Sequence, residues 1–352
     1  MQVHREAPDL TVDLRKIVKA AKPSIAVIGL GGAGCNIINW IAQKGMAGGR
    51  IIAANTDINH LATIRKADKL ILLGKKLCKG YGCGGSPEMG AEATKENLPE
   101  IKAALHDANL LFLVAGMGGG TGSGAIPVVA GVARELGILT IACVTIPFKL
   151  EMARREKARE AIKAIVESCD STIVIDNIKL SEVAGDLPLN DALSVANALV
   201  GDFVRNITET ITQPSLVNID FTDLRTVMEQ GGICAIGIGE GDGEDRITRA
   251  VSWAMEVPLL DISDISETYG LLIHIAGGED MTLEEVAVAG ERIVDKVPNT
   301  KRVIWGAKVD SSLTGRVRIM AVLTGIKSTS LKASDNGITN HYLPILTVNY
   351  AK

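Results

Sequence analysis

The chain reads as an α/β fold: a doubly wound parallel-sheet domain, joined by a long central helix to a smaller α+β domain. Three observations predict this. In the first half, short apolar runs alternate with helical patterns, and glycine-rich or polar loops follow successive runs. That is the texture of a parallel sheet, whose ligands lie at the carboxyl ends of its strands. Asn190 to Thr212 then forms one long helical pattern, apolar at Leu193, Leu199, Val200, Phe203, Ile207 and Ile211 and on a second face through Ala192, Val195 and Ala198. A helix apolar around much of its circumference is sandwiched between two masses. After Gln213-Pro214 the alternation is looser, as in an α+β domain. With 352 residues, 47% of them hydrophobic, the chain is long enough for two cores. The expected divisions are an extension over residues 1–22, a first domain over 23–189, the helix over 190–212 and a second domain over 213–352.

Taken in order, Leu10, Leu14, Ile17 and Val18 have the spacing of a one-sided helix in the extension. Ile25 to Ile28 is a buried strand, and Gly29-Leu-Gly31-Gly32-Ala-Gly34 leads into a helix starting near Cys35 and running toward Lys44. Strands follow at Ile51 to Asn55 and Lys69 to Leu73. Gly80 to Glu88 is a small-residue loop, with Pro87 placed for the first turn of the next helix. The apolar run Leu110 to Ala115 is a strand; Gly118-Gly119-Gly120-Thr121-Gly122-Ser123-Gly124 follows it and opens another helix. Ile138 to Ile146 is a strand, Glu151 to Glu167 a charged helix, and Thr172 to Ile175 a strand ending at Asp176-Asn177. In the second half Cys234 to Gly239 and Leu271 to Ala276 are strands, Asp245 to Met255 is a helix, and Thr282 with Glu285 forms a capping box. Arg302 to Val309 and Arg316 to Thr324 read as paired strands around Leu313-Thr-Gly315, leaving a short last segment from Tyr342 to Val348.

Composition narrows the function. A net charge of -4 and 3% aromatic residues argue against a nucleic-acid surface, which needs cations and stacking platforms. The six cysteines form no Cys-x-x-Cys pair, so neither a disulfide framework nor a zinc site is expected, and reduced thiols fit a cytoplasm. Met1 to Lys22 is polar and charged, unlike a signal peptide, and no apolar run approaches the roughly 18 residues that span a bilayer. No direct membrane insertion is expected.

The glycine loops carry the chemistry. Five of the seven residues from Gly118 to Gly124 lack a Cβ, so backbone N–H groups can approach a ligand, and Thr121 and Ser123 add hydroxyls at a helix N-terminus. Such a loop suits phosphate oxygens. Gly29 to Gly34 matches the Gly-x-Gly-x-x-Gly dinucleotide pattern, and Asp57 stands where a ribose-binding acid would. Alone, that pair points to a nicotinamide-dependent oxidoreductase, but it leaves the second glycine loop unexplained. No Gly-x-x-x-x-Gly-Lys-Ser/Thr occurs, which excludes a P-loop. Other candidates have plain structural alternatives. Asp191 suits the first turn of a helix, Glu151 and Arg155 suit an i,i+4 pair on a solvated face, and Asp220 with Asp223 suits a helix cap. His274, in an apolar strand, reads as a core histidine.

Together these loops resemble the tubulin/FtsZ GTPase family, and FtsZ rather than tubulin. Gly118 to Gly124 matches the family signature. Asn218-Ile-Asp220-Phe-Thr-Asp223-Leu-Arg-Thr-Val-Met228 looks like the loop that FtsZ uses against a neighbouring subunit's nucleotide. Asn55-Thr-Asp57, Gly82-Cys-Gly84-Gly85, Pro147-Phe148 with Glu151 and Arg155, Asn177 and Asp191 extend the likeness over roughly residues 20 to 325. The resemblance implies a GTP-binding first domain and a GTPase-activating second one. Gly31, Gly32 and Thr121, with the amides of Gly119, Gly120 and Gly122, would hold the phosphates of GTP or GDP; Gly118, Gly84, Gly85 and Asp57 belong to the same matching loops. Asn36, Asn177 and Asp191 would face the guanine, and Glu151 and Arg155 the ribose. Mg²⁺ would bridge the phosphates with no protein ligand named for it. Asp220, Asp223 and Asn218 would complete the site of the next subunit, making a head-to-tail filament at the division site, with membrane-tethering and division proteins as partners. A non-hydrolysing positioning relative is the other reading within the family. Cys83 departs from the pattern, standing where small, alanine-like residues are usual.

Overall fold

A computed structural model describes residues 22–148, 150–177, 188–213, 216–217, 219–229, 231–255, 262–265 and 268–328. The helix expected from Leu10 to Val18, Asn218, and the segment from Tyr342 to Val348 lie outside the described residues.

The first half alternates as its apolar periodicity predicts: β1 (Ile25–Leu30), α1 (Gly31–Lys44), β2 (Gly49–Asn55), α2 (Ile58–Leu61), β3 (Lys69–Leu72), α3 (Pro87–Glu96), α4 (Leu98–Leu105), β4 (Leu110–Gly116), α5 (Thr121–Glu135), β5 (Leu139–Ile146), α6 (Met152–Ser168) and β6 (Ser171–Asp176). The long helix is α7 (Leu189–Thr212), followed by α8 (Phe221–Met228), β7 (Gly232–Asp242), α9 (Arg246–Met255), β8 (Ile262–Asp264), β9 (Gly270–Gly277), α10 (Leu283–Lys296), β10 (Arg302–Val309), β11 (Arg316–Thr324) and β12 (Lys327–Ser328).

Ten strands form one sheet in the order β10-β9-β11-β7-β6-β5-β4-β1-β2-β3, and β8 pairs with β12 separately. Strands β1 to β6 are parallel throughout. From β1 the chain winds outward to β2 and β3, then crosses to the other side of β1 for β4, β5 and β6. The winding therefore reverses between β1 and β4, where a crevice opens at the carboxyl ends. The two glycine loops follow these two strands.

Side chains alternate across the sheet with the period of two that strands impose. Ile25 and Val27 of β1 and Phe112 of β4 enter a core shared with α1 and α7, while Ala26, Ile28 and Leu113 face a second core under α3 to α6. Phe203 of α7 meets Phe112 edge-on, with ring centroids 5.8 Å apart. A helix of 24 residues rises about 35 Å, so α7 crosses the whole sheet. It ends at the amino side of the strands: the Thr212 hydroxyl donates to the Ala47 carbonyl (3.3 Å), two residues before β2.

Two expectations change. α1 begins at Gly31 rather than near Cys35, because the loop glycines are themselves wound into its first turn. β10 and β11 do not form a hairpin: β9 lies between them, parallel to β10 and antiparallel to β11. β11 is buried along most of its length and takes a neighbour on each side, leaving β10, with Val303 and Trp305 half exposed, at the edge. The sheet also continues through the middle of the chain, since β6 pairs with β7 from Ser171↔Gly232 to Ile173↔Cys234.

Candidate nucleotide site

The crevice between β1 and β4 is an open cleft of about 340 Å³, within the size range of small-molecule sites. Leu30 to Ala33 line one wall, Gly116, Met117 and Gly119 to Gly122 a second, and Thr145, Pro147, Glu151, Arg154 and Asn177 close the far side. The loop geometry follows from its glycines. Gly118 has φ +82°, and a Cβ there would run into the carbonyl oxygen of Arg154. Its N–H donates to the Ser123 hydroxyl (2.9 Å), which pins the turn. Gly31 has φ +71°, and a Cβ on it would lie 3.1 Å from the Gly122 nitrogen, so the two loops come into close contact there. Gly32 and Gly119 face open space. The first N–H groups of α5 have no intrahelical acceptor, and its dipole adds positive potential at the same place. The wall therefore presents backbone donors with few side chains to keep a ligand off them, which suits an anion.

Thr121 is fixed from behind. Its hydroxyl lies 2.7 Å from that of Thr56 and 3.0 Å from the Cys83 thiol, and these two lie 3.4 Å from each other. Cys83 brings the loop after β3 into the site, and Gly84 and Gly85 follow it with φ +55° and +77° and open space around them. Lys157 of α6 donates to the Gly85 carbonyl (3.1 Å). Ser86 caps α3, with Pro87 in its first turn as the sequence predicts.

Glu151 reaches the cleft, but its partner is Arg154 (2.5 Å), which replaces the i,i+4 pairing with Arg155. Arg155 turns beneath the floor and grips Asp176 with both nitrogens (2.9 and 2.8 Å). Those hydrogen bonds raise the guanidinium pKa further. The reason is rotational: on a helix beginning at Met152, position 155 faces β6 while 154 faces the cleft. Asp57 does not line the cleft either. Its Oδ1 accepts the amides of Asn59 and His60 (2.9 and 3.2 Å) as the cap of α2. Asn36 is exposed on α1, its side-chain oxygen 3.1 Å from His60 Nε2. Asp191 is exposed in the first turn of α7. Thr56, Thr145 and Arg154 are site residues that sequence reasoning passed over, whereas Cys83 was already singled out there.

Asp220 and Asp223 are elsewhere. Asp220 caps α8 by accepting the Asp223 amide (2.7 Å), the arrangement that helix-cap chemistry predicts. They follow the C-terminus of α7, already at the amino side of the sheet, and Arg225 donates to the Gly137 carbonyl just before β5 begins. The cleft lies beyond the other end of β5. Eight residues of strand span about 23 Å from first to last Cα, so these acids lie on the opposite side of the molecule from the cleft.

The cleft also fits a nucleotide by what it leaves unpaired. Among the described residues, Asn177 Oδ1 is buried without a hydrogen-bond partner, although it borders the cleft. A buried orphan acceptor is costly and is satisfied by a ligand's donor. No group of three His, Cys, Asp or Glu side chains able to hold a metal is found among the described residues. Nor is any helix among them long and apolar enough to cross a membrane.

Comparison with known proteins agrees with this geometry. Residues 24–185 match the model of the Tubulin/FtsZ family, GTPase domain, and residues 232–327 match that of the FtsZ family, C-terminal domain. Fold and cleft thus define a GTPase of the tubulin/FtsZ class. The chain is 46% identical over 314 residues to cell division protein FtsZ 2 of Methanocaldococcus jannaschii, covering 88% of this chain and 82% of that one. It is 45% identical over 326 residues to cell division protein FtsZ 1 of Pyrococcus furiosus, covering 92% and 87%. A solved structure described as an empty FtsZ dimer of M. jannaschii superposes with a TM-score of 0.83 at 40% identity, covering 94% of this chain and 98% of that one. The chain belongs to the FtsZ family.

Proposed function

We propose that the chain is a self-assembling GTPase of cell division that hydrolyses GTP between successive subunits of a head-to-tail filament. The observation that carries this reading is the separation of the two halves of the chemistry, with the cleft at the carboxyl ends of the strands and Asp220 and Asp223 at the amino side. An acid that orients water must stand within hydrogen-bond reach of it, so acids some 20 Å away act on another copy. A contact between unlike faces does not close and propagates into a filament.

In this reading residues 23–189 form the GTP-binding domain and 213–352 the activating one, with α7 between them and residues 1–22 as an extension. The amides from Gly118 to Gly122, with Gly31, Gly32 and Thr121, take the phosphates. Gly84 and Gly85 close over their end. Asn177 supplies an acceptor to the guanine, with Asn36 and Asp191 on that side. Glu151, paired with Arg154, faces the ribose, and Arg155 holds Asp176 in place below. Mg²⁺, for which this chain offers no named protein ligand, would supply positive charge beside the phosphates when bound. Asp220 and Asp223 of the next subunit, with Asn218, orient the attacking water, so assembly completes the site. Loss of the terminal phosphate removes contacts at the interface and favours disassembly. The names of the relatives support a place at the division site, where cytoplasmic filaments need membrane-tethering partners.

Two competing readings have less support. The nicotinamide reading leaves the second glycine loop unexplained, and the family models that match are of the Tubulin/FtsZ and FtsZ families. A non-hydrolysing positioning protein would keep its nucleotide uncleaved, and phosphate release tests that directly. GTP turnover per subunit is expected to climb as protein concentration rises through an assembly threshold, seen by light scattering. Turnover that is constant per subunit across that range would overturn the shared site.

A further inference from the structure

Cys83, in the loop after β3, sits in a closed triangle with Thr56 and Thr121. Thr56 and Cys83 are almost fully buried, at 0% and 5% exposure, and only Thr121 borders the cleft. A threonine hydroxyl has one proton to donate and two lone pairs with which to accept. With neighbours at 2.7 and 3.0 Å, Thr121 has two ways to spend that proton. It can donate inward, to sulfur or to the Thr56 oxygen, or it can accept from both and donate into the cleft. Sulfur is a weak acceptor, whereas an anionic oxygen makes a charge-assisted hydrogen bond roughly twice as strong as a neutral one.

We propose that Cys83 and Thr56 are positioning residues, which donate together to Thr121 Oγ1 and so aim its only proton at a phosphate oxygen of the bound nucleotide. This rests on the reading of the cleft as the GTP site. The thiol also lies against the phosphate loop, since a Cβ on Gly120 would stand 3.1 Å from Cys83 Sγ, so it holds the position of the loop as well as its proton order. An alanine in place of Cys83 leaves Thr121 one donor short. Its proton is then shared between Thr56 and the ligand, and the phosphate contact weakens.

The test is the affinity for GTP, measured by calorimetry, together with the KM and kcat of hydrolysis, for Cys83→Ala, Cys83→Ser and Thr121→Val, alone and combined. Cys83→Ala is expected to raise Kd and KM about threefold to tenfold while changing kcat little, the size expected for part of one hydrogen bond to a charged group. Cys83→Ser, which keeps a donor, should return both to within about twofold of wild type. In the Thr121→Val background, Cys83→Ala should have almost no further effect, because the group it serves is gone. Should Cys83→Ala not fold, Thr56→Val removes the other donor and is expected to show the same coupling. The inference is overturned if wild type binds GTP and Cys83→Ala binds equally well. It is also overturned if serine fails to rescue, or if the loss is the same with and without Thr121. A wild-type chain that takes up no GTP would overturn the reading of the cleft as well, and so is told apart from these.

Discussion

The two ends of the parallel sheet are built on opposite plans. At the carboxyl ends, glycines, helix amides and hydroxyls form a concave wall. At the amino side, Asp220 is exposed, and its visible task is to cap an eight-residue helix. In the proposed reading the cleft receives the nucleotide and Asp220 and Asp223 act on the cleft of another copy, because the sheet holds the two apart within one chain.

The largest effects should therefore differ in kind between the ends. Asp220→Ala is expected to lower GTP turnover on the order of 100-fold, as removal of a group acting on the transition state does, while the affinity for GTP stays near wild type. Gly118→Val should do the reverse. Its side chain meets the Arg154 carbonyl at a φ that suits only glycine, so GTP affinity falls by roughly tenfold to 100-fold with the phosphate amides displaced. Parallel binding and turnover assays would break the comparison if Asp220→Ala lost binding first.

A smaller effect concerns the structure between the ends. His274 of β9 is buried beside Lys308, with its Nε2 unpaired among the described residues. Burial, with a smaller contribution from the lysine charge, lowers its pKa from 6.5 to about 4. The unfolded chain thus binds the proton first as pH falls below 6.5, and stability is lost progressively from there down to about 4. Denaturant melts at pH 7 and pH 5 should differ by roughly 2 kcal/mol from this group, and His274→Leu should remove that difference. An equal pH dependence in the variant would place the cause elsewhere.

Much of this was legible in the sequence because it is local. Apolar runs set the strands, Pro87 and Thr282 mark helix starts, and the glycine loops announce phosphate chemistry before any pairing is known. What was not legible depends on distance or rotation. The contacts of Thr121 with Thr56 and Cys83 join residues 65 and 38 positions apart. The unusual cysteine was the only local sign of them. Arg154 and Arg155 differ only in the face of α6 on which they fall, and the capping of α2 by Asp57 shows only once its two amide donors are seen. The insertion of β9 between β10 and β11 reflects burial on both sides of β11, which a hairpin-like spacing does not encode. For Asp220 and Asp223, the cap reading describes the isolated chain, and the trans-acting role rests on the family resemblance.

The central claim is that one catalytic site is shared by two chains, and mixing tests it most directly. Asp220→Ala has an intact cleft and Gly118→Val has intact acids, so each alone should hydrolyse GTP poorly. In an equal mixture, about one interface in four joins an intact cleft to intact acids, and turnover is expected to recover to about a quarter of wild type. A mixture no more active than the sum of its parts would contradict the account.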